Sequence, residues 1–304
     1  MNKQRLLKNL SQVEKTARAS KLNRMLMQPV RYINAILFRE LVYKSKQKPK
    51  AVLAKTFFGT KMQLLLPSST DIYITGGKSH DSELRLAKFI INHLSEGDTF
   101  IDVGAHYGYY SLLASELVGK EGIVQSFEAS LQNFEILKKN TAKLDNTIIH
   151  HQAVSDIKGI IAFYEFPNLF SEYNSLDITQ FEHESWFKDN ISNKTNVKSI
   201  LLDEFLIAEK LFPKIIKIDV EGAEFKVVSG LRKYLQIYAP IVVMEFLSEE
   251  RGNTQHKAAQ HLFELLGYQS FRITKSGHLK AKNNIAHYLN ANALESDNIV
   301  FVKT

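Results

Sequence analysis

The sequence contains no cysteine. Disulfides, thiolate nucleophiles and cysteine-ligated zinc are thereby excluded, and a reducing cytoplasm is the expected compartment. No run of about 18 apolar residues is present, so a membrane span is not expected. The start, Met1-Asn2-Lys3-Gln4-Arg5, lacks the apolar core of a secretory signal. Internal repeats and low-complexity tracts are also absent. What is there is ordinary globular composition: 304 residues, 44% hydrophobic and 23% charged, enough for one large domain with additions.

Acidic residues are scarce in one region only. Residues 1–50 hold 13 Lys/Arg against 2 Asp/Glu, a net charge of +11 in a chain of +7 overall. The remaining residues therefore carry a net −4. The basic character belongs to an N-terminal helical arm, with Ile33, Ile36, Leu37, Leu41 and Val42 set against Arg31, Arg39, Glu40 and Lys44. A helix packed on the body with a solvated basic face accounts for this pattern. The competing reading is a peripheral anchor on an anionic membrane surface, which would set the protein at the inner face of the membrane.

The chain is organised around Asp98 to Ser111. An apolar run, 99–103, ends in Asp102-Val103-Gly104, a second glycine follows at Gly108, and an apolar helical pattern begins. This reads as a buried parallel strand, a tight turn and a helix. Gly104 allows both the sharp turn and the close approach of a ligand. The first helical turn offers N–H groups to a ligand carboxylate. Residues 122–127 read as the next strand, with Glu128 at its tip, 20 residues after Gly108. A carboxylate there suits the two hydroxyls of a ribose. The bulk of Ala105, His106 and Tyr107 crowds out a pyrophosphate, and Asp102 suits a cation. S-adenosylmethionine carries the sulfonium, ammonium, ribose and carboxylate that such a site would take.

Residues 51–97 read as a β-element (strands 51–58, 61–66 and 71–75) followed by a helix over 81–95. From 98 to 304 strand and helix alternate, the pattern of a parallel sheet covered by helices. The alternation stops for residues 157–213, an insert with scattered aromatics including Phe170, Tyr173, Phe181 and Trp186. An insert of that length is read as a lid on the acceptor side. The next strand, 215–219, brings Lys217, Asp219 and Glu221 to one face. Three ionisable groups at a buried strand end are either paired or functional. A single helix is expected over 225–235, and Glu245 stands near the tip of strand 241–246.

Asp102-Val103-Gly104-Ala105-His106-Tyr107-Gly108-Tyr109-Tyr110-Ser111, Glu128, Ala153-Val154-Ser155-Asp156, Leu202-Asp203-Glu204 and Lys217-Ile218-Asp219-Val220-Glu221-Gly222-Ala223-Glu224 together resemble the FkbM family of S-adenosylmethionine-dependent methyltransferases. The match runs from about residue 59 to 246. His106 stands where the family usually has asparagine, and Leu201 where it has threonine. The resemblance implies an α/β fold: a Rossmann-like class I methyltransferase with a seven-stranded, mostly parallel sheet, helices on both faces and a reversed last strand. It further implies O-methylation of a hydroxyl on a sugar, glycolipid, polysaccharide or natural product.

The candidate cofactor-binding residues are Asp102, Gly104, His106, Gly108, Glu128, Ser155 and Asp156. The candidate catalytic residues are Asp219, Glu221 and Lys217, with Asp219 or Glu221 taking the acceptor proton and Lys217 keeping that carboxylate ionised. Glu224 is a further candidate for holding the acceptor, and His106 an alternative base. No metal ligand set is assigned, although Asp219, Glu221 and Glu245 would make an oxygen site if the fold grouped them. The absence of cysteine excludes carbon methylation through a thiol adduct, and no proline follows Asp219, unlike the tips that methylate nucleobase amines. An RNA 2′-O-methyltransferase and a catalytically silent cofactor-binding scaffold remain as alternatives, with a nucleic-acid partner disfavoured.

Overall fold

A computed structural model describes residues 2–182, 184–282 and 284–303. The arm comprises α1 (Lys3–Arg18), α2 (Lys21–Met27), α3 (Pro29–Leu37), a π-helical turn (Phe38–Tyr43) and the short α4 (Lys44–Lys46). A hairpin follows, β1 (Lys50–Lys55) and β2 (Lys61–Leu66), then α5 (Thr70–Thr75) and α6 (Asp81–His93). The core begins with β3 (Thr99–Val103), α7 (Tyr109–Val118), β4 (Ile123–Glu128), α8 (Leu131–Thr141) and β5 (Thr147–His151). The insert region contains β6 (Ala153–Val154), β7 (Gly159–Glu165) and β8 (Asn193–Ile200), and α9 (Leu202–Ala208) closes it. The chain then runs through β9 (Ile215–Ile218), α10 (Glu224–Ser229), α11 (Arg232–Tyr238), β10 (Ile241–Leu247) and α12 (Thr254–Leu265). It ends with β11 (Tyr268–Ile273), β12 (Leu279–Ala281), α13 (Ile285–Ala291) and β13 (Ser296–Lys303).

The main sheet has the order β12-β11-β13-β10-β9-β3-β4-β5. Strands β10, β9, β3, β4 and β5 are parallel, and β13 runs antiparallel to both β10 and β11. This is the expected α/β architecture with its reversed last strand. The sheet has eight strands rather than seven because the short β12 folds back on β11 as an edge hairpin. The central strands carry apolar side chains on both faces, with Ile101, Ile216 and Met244 fully buried on one side and Phe100, Ile215 and Val243 on the other; Asp102 and Lys217, near the strand ends, are exceptions. Each such side chain contributes roughly 1.5–3 kcal/mol through burial.

Two expected elements differ. Residues 71–75 form part of helix α5, not a strand. Ile72, Tyr73 and Ile74 are all buried, which alternation cannot provide, and Asp71 accepts the N–H groups of Ile72 and Ser79 to hold the turn. The helix expected over 225–235 is two helices, broken where Gly230 passes so close to Ser155 that a Cβ would lie 2.1 Å from its carbonyl oxygen.

The arm divides into two parts. Helix α1 buries Leu6, Leu10 and Val13 and is pinned by Glu14–Lys88 and Arg18–Asp81 ion pairs to α6. Helix α3 touches the body through Arg31 and Asn34 on Tyr73 and buries Ala35. No helix among the described residues is long and apolar enough to cross a membrane.

Candidate active site

A cavity of about 370 Å³ opens at the carboxyl ends of β3, β4, β9 and β10. That is where ligands enter open parallel sheets, because the strand order turns there and the connections diverge. Gly104, at φ +77°, ends β3 against the backbone of Asp219; a Cβ on Gly104 would lie 1.8 Å from the Asp219 carbonyl oxygen. Only glycine lets the tips of β3 and β9 meet this closely.

Glu128 stands at the tip of β4 and lines the cavity. Its carboxylate accepts the amide N–H of His106 at 2.7 Å and of Ser130 at 2.9 Å. Burial raises its pKa to about 7 even against those hydrogen bonds. Beside it, Phe127, Ala129, Val154 and Phe163 form an apolar wall with Asn133 and Gln152 among them. An apolar slot beside a strand-tip carboxylate fits a nucleoside: bases pack on the wall and ribose hydroxyls donate to Glu128.

Under the loop lies an ion network. The Lys217 ammonium sits 3.3 Å from Asp102 and 3.1 Å from Asp219, with side chains 3%, 1% and 23% exposed respectively. Ser111 donates to the second Asp102 oxygen at 2.7 Å and itself accepts from Ser126. Burial opposes the charge on Lys217, but Asp219 and Asp102 outweigh it and raise its pKa. Burial likewise opposes ionisation of Asp219, and the Lys217 and Lys78 charges win, holding its carboxyl below the usual range. Lys217 therefore acts as an anchor that fixes an ionised Asp219 at the cavity wall.

The other half of the cavity is rich in carboxylates. Asp219, Glu221 and Glu245 each present an oxygen within 4.8 Å of the others, a grouping that would suit a hard divalent cation. Burial, then the neighbouring carboxylates, push Glu221 well above its ordinary pKa and Glu245 to about 8. Glu172, from the insert, lines the same cavity from its solvent-exposed mouth. Lys78 pairs with Glu83 at 2.8 Å, and both line the same wall. The insert's aromatics gather around Trp186, with Phe170 and Tyr173 stacked on it at 4.6 and 4.8 Å. This cluster supports Ser171, Glu172, Tyr173 and Asn174 where they line the cavity.

Not every candidate residue reaches the cavity. Gly104, His106, Glu128, Asp219 and Glu221 line it. Asp102 does not: the cation it faces is Lys217. Gly108 packs on α8, where a Cβ would meet Leu137 at 2.6 Å. Ser155 is buried against Asp156, whose side chain faces solvent, and the lining comes from Gln152, Ala153 and Val154 just before them. Glu224 is buried, accepting the Gly222 N–H and pairing with His256, so it holds the turn after β9 and not an acceptor. His106 lines the cavity with Nε2 3.2 Å from Ser171 Oγ, but burial and then Lys78 lower its pKa to about 3, too weak for the alternative base. Lys78, Glu83, Glu172 and Arg251 line the site without any motif in the sequence to mark them; Glu83 and Lys78 sit at an ordinary helix start.

The family model described as the methyltransferase FkbM domain matches residues 102–270. The chain belongs to the FkbM methyltransferase family. The enzyme is 23% identical over 163 residues to the hexuronic acid methyltransferase AglP of Haloferax volcanii, covering 53% of this chain and 61% of AglP. The chain thus spans less than two thirds of that relative's length. Among solved structures it is similar to the methyltransferase FkbM of Methylobacillus flagellatus, at 11% identity over 78% of this chain and 55% of that one, TM-score 0.39. It is also similar to Aeropyrum pernix fibrillarin in complex with S-adenosyl-L-methionine, at 9% identity over 72% and 74% of the two chains, TM-score 0.40. The FkbM enzyme is an S-adenosylmethionine-dependent methyltransferase, and the apolar slot beside Glu128 fits that cofactor's nucleoside.

Proposed function

We propose that this methyltransferase acts on a hydroxyl group of a saccharide, free or carried on a glycolipid or polysaccharide. The observation that carries this reading is the position of Asp219, against the glycine loop on one side and within the Glu221–Glu245 cluster on the other. Bound S-adenosylmethionine supplies an electrophilic methyl group. Gly104, His106 and Glu128 hold it at the tips of β3 and β4. Asp219, kept ionised by Lys217, accepts a hydrogen bond from the acceptor hydroxyl and aims its oxygen. Alignment of this kind can contribute roughly 7–11 kcal/mol to lowering a barrier. Glu245 is better matched as the final proton acceptor, because a base works best when its pKa lies near the operating pH. The insert, through Glu172 and Tyr173, closes the acceptor side.

The test is methyl transfer from isotopically labelled S-adenosylmethionine to a panel of neutral, amino and acidic saccharides, with the methylated atom assigned by NMR. A new O–CH3 signal supports the reading; transfer to nitrogen, or to RNA alone, overturns it. Turnover is expected to rise with pH up to about 8 as Glu245 ionises, and Glu245→Gln is expected to flatten that rise.

A further inference from the structure

Large apolar side chains stand exposed on the helices that follow α1. Leu26, Val30, Ile33, Leu37 and Leu41 are 68%, 78%, 46%, 51% and 69% exposed. Val30, Ile33, Leu37 and Leu41 recur at three, four and four residues on one side of α3 and the π-helical turn, and Leu26 is exposed in the last turn of α2, just before the non-helical Gln28. The opposite side, through Arg31, Asn34, Ala35 and Phe38, already faces the body. The same segment, residues 21–50, carries eight Lys/Arg and one Glu. Lys21, Arg39, Lys44, Lys46 and Lys48 among them are exposed.

We propose that residues 21–50 form a docking surface for an anionic lipid bilayer, lying in its interface with the Leu26–Leu41 stripe in the acyl boundary and the basic side chains among the phosphates. Charge decides the occupant. An apolar face flanked by cations is attracted to anionic headgroups, whereas two copies of a +7 segment repel each other. The docking face is also tied to the cavity. The buried Tyr43, at the end of the π-helical turn, accepts the Leu169 N–H at 3.1 Å. Leu169 lies two residues before Ser171, the first of the insert residues that line the acceptor half. If the acceptor is the lipid-borne saccharide proposed above, this contact sets its headgroup beside the lid; docking itself does not depend on that acceptor.

Co-sedimentation with mixed phosphatidylcholine–phosphatidylglycerol vesicles, against pure phosphatidylcholine, tests the surface. The full chain is expected to pellet with the anionic vesicles and to be released by added salt. The triple variant Leu26→Glu, Val30→Glu, Leu41→Glu is expected to partition at least about tenfold less. Each charge removed in Lys44→Gln, Lys46→Gln, Lys48→Gln is expected to lower partitioning about fivefold. Circular dichroism and the heat of S-adenosylmethionine binding should be unchanged in both variants. Failure of the parent to pellet with anionic vesicles, or equal pelleting of the triple Glu variant, overturns the proposal. So does a parent that sediments as a dimer and a triple Glu variant that sediments as a monomer, because a second copy then covers the face. Loss of cofactor heat in the parent would count against the methyltransferase reading and leave the vesicle result standing.

Discussion

On the cofactor side of the cavity, the Glu128 carboxylate accepts two backbone amides, and Asp102 is neutralised by Lys217 and Ser111. On the proposed acceptor side, Glu221 and Glu245 cluster with Asp219, and burial with the neighbouring carboxylates pushes both toward their protonated forms. One half is held by partners within the chain, so its shape exists before a ligand arrives. The other holds carboxyl groups that burial and mutual repulsion keep partly protonated, so a hydroxyl-rich ligand meets both hydrogen-bond donors and acceptors there. Rigid positioning of the donor, with adaptable recognition of the acceptor, is what a group-transfer enzyme needs, because the displacement tolerates little misalignment.

The sharpest way to break this contrast is at Asp219, where the halves meet. Asp219→Asn is expected to lower turnover about 10²–10⁴-fold with little change in cofactor affinity, read by single-turnover kinetics and calorimetry. Equal losses in both would make Asp219 part of the cofactor half. Lys217→Met is expected to destabilise the fold by roughly 3–5 kcal/mol in urea titration, since it leaves Asp102 and Asp219 buried without their cation. Glu128→Gln is expected to weaken S-adenosylmethionine roughly tenfold or more, because its amide would point an N–H at a loop N–H and at a ribose hydroxyl's place.

The smallest effect is expected in the pH dependence of stability at Glu128, which is 6% exposed. Its pKa is raised by burial in the folded chain to about 7, from an ordinary value near 4.5. The folded state therefore holds a proton that the unfolded state has released between those values, and stability falls as pH rises through that window. Glu128→Gln should reduce the decline in melting temperature between pH 4.5 and 7.5. An unchanged slope would show that Glu128 is hydrated and that its half of the cavity is looser than its burial implies.

Short apolar-rich runs alternating with helical patterns were enough to locate the strands 99–103, 123–127, 147–151, 215–218 and 241–246. The glycine loop and Glu128 were legible for the same local reason: a tight turn at a strand tip has few residue solutions. Ser155, Asp156, Gly108 and Asp102 were misplaced because a motif records that residues occur together, and not whether they face a ligand or hold the loop beneath it. Asp71 to Thr75 misled because its alternating β-branched residues say nothing about β1, α1 and α3 all packing around it. Glu172, Lys78 and Arg251 carry no local pattern at all.

Alone, the amino-acid order determined the sheet, the glycine loop and Glu128 at the strand tips, and the charged strand end at 217–221, because strand burial and turn geometry are set within a few residues. Only the tertiary structure decided that Lys217 spends its charge on two aspartates, that Glu245 and the distant Glu172 join Asp219 at one wall, and that the stripe from Leu26 to Leu41 stays uncovered. Those outcomes depend on which surfaces meet across long stretches of chain, and no local window contains that information.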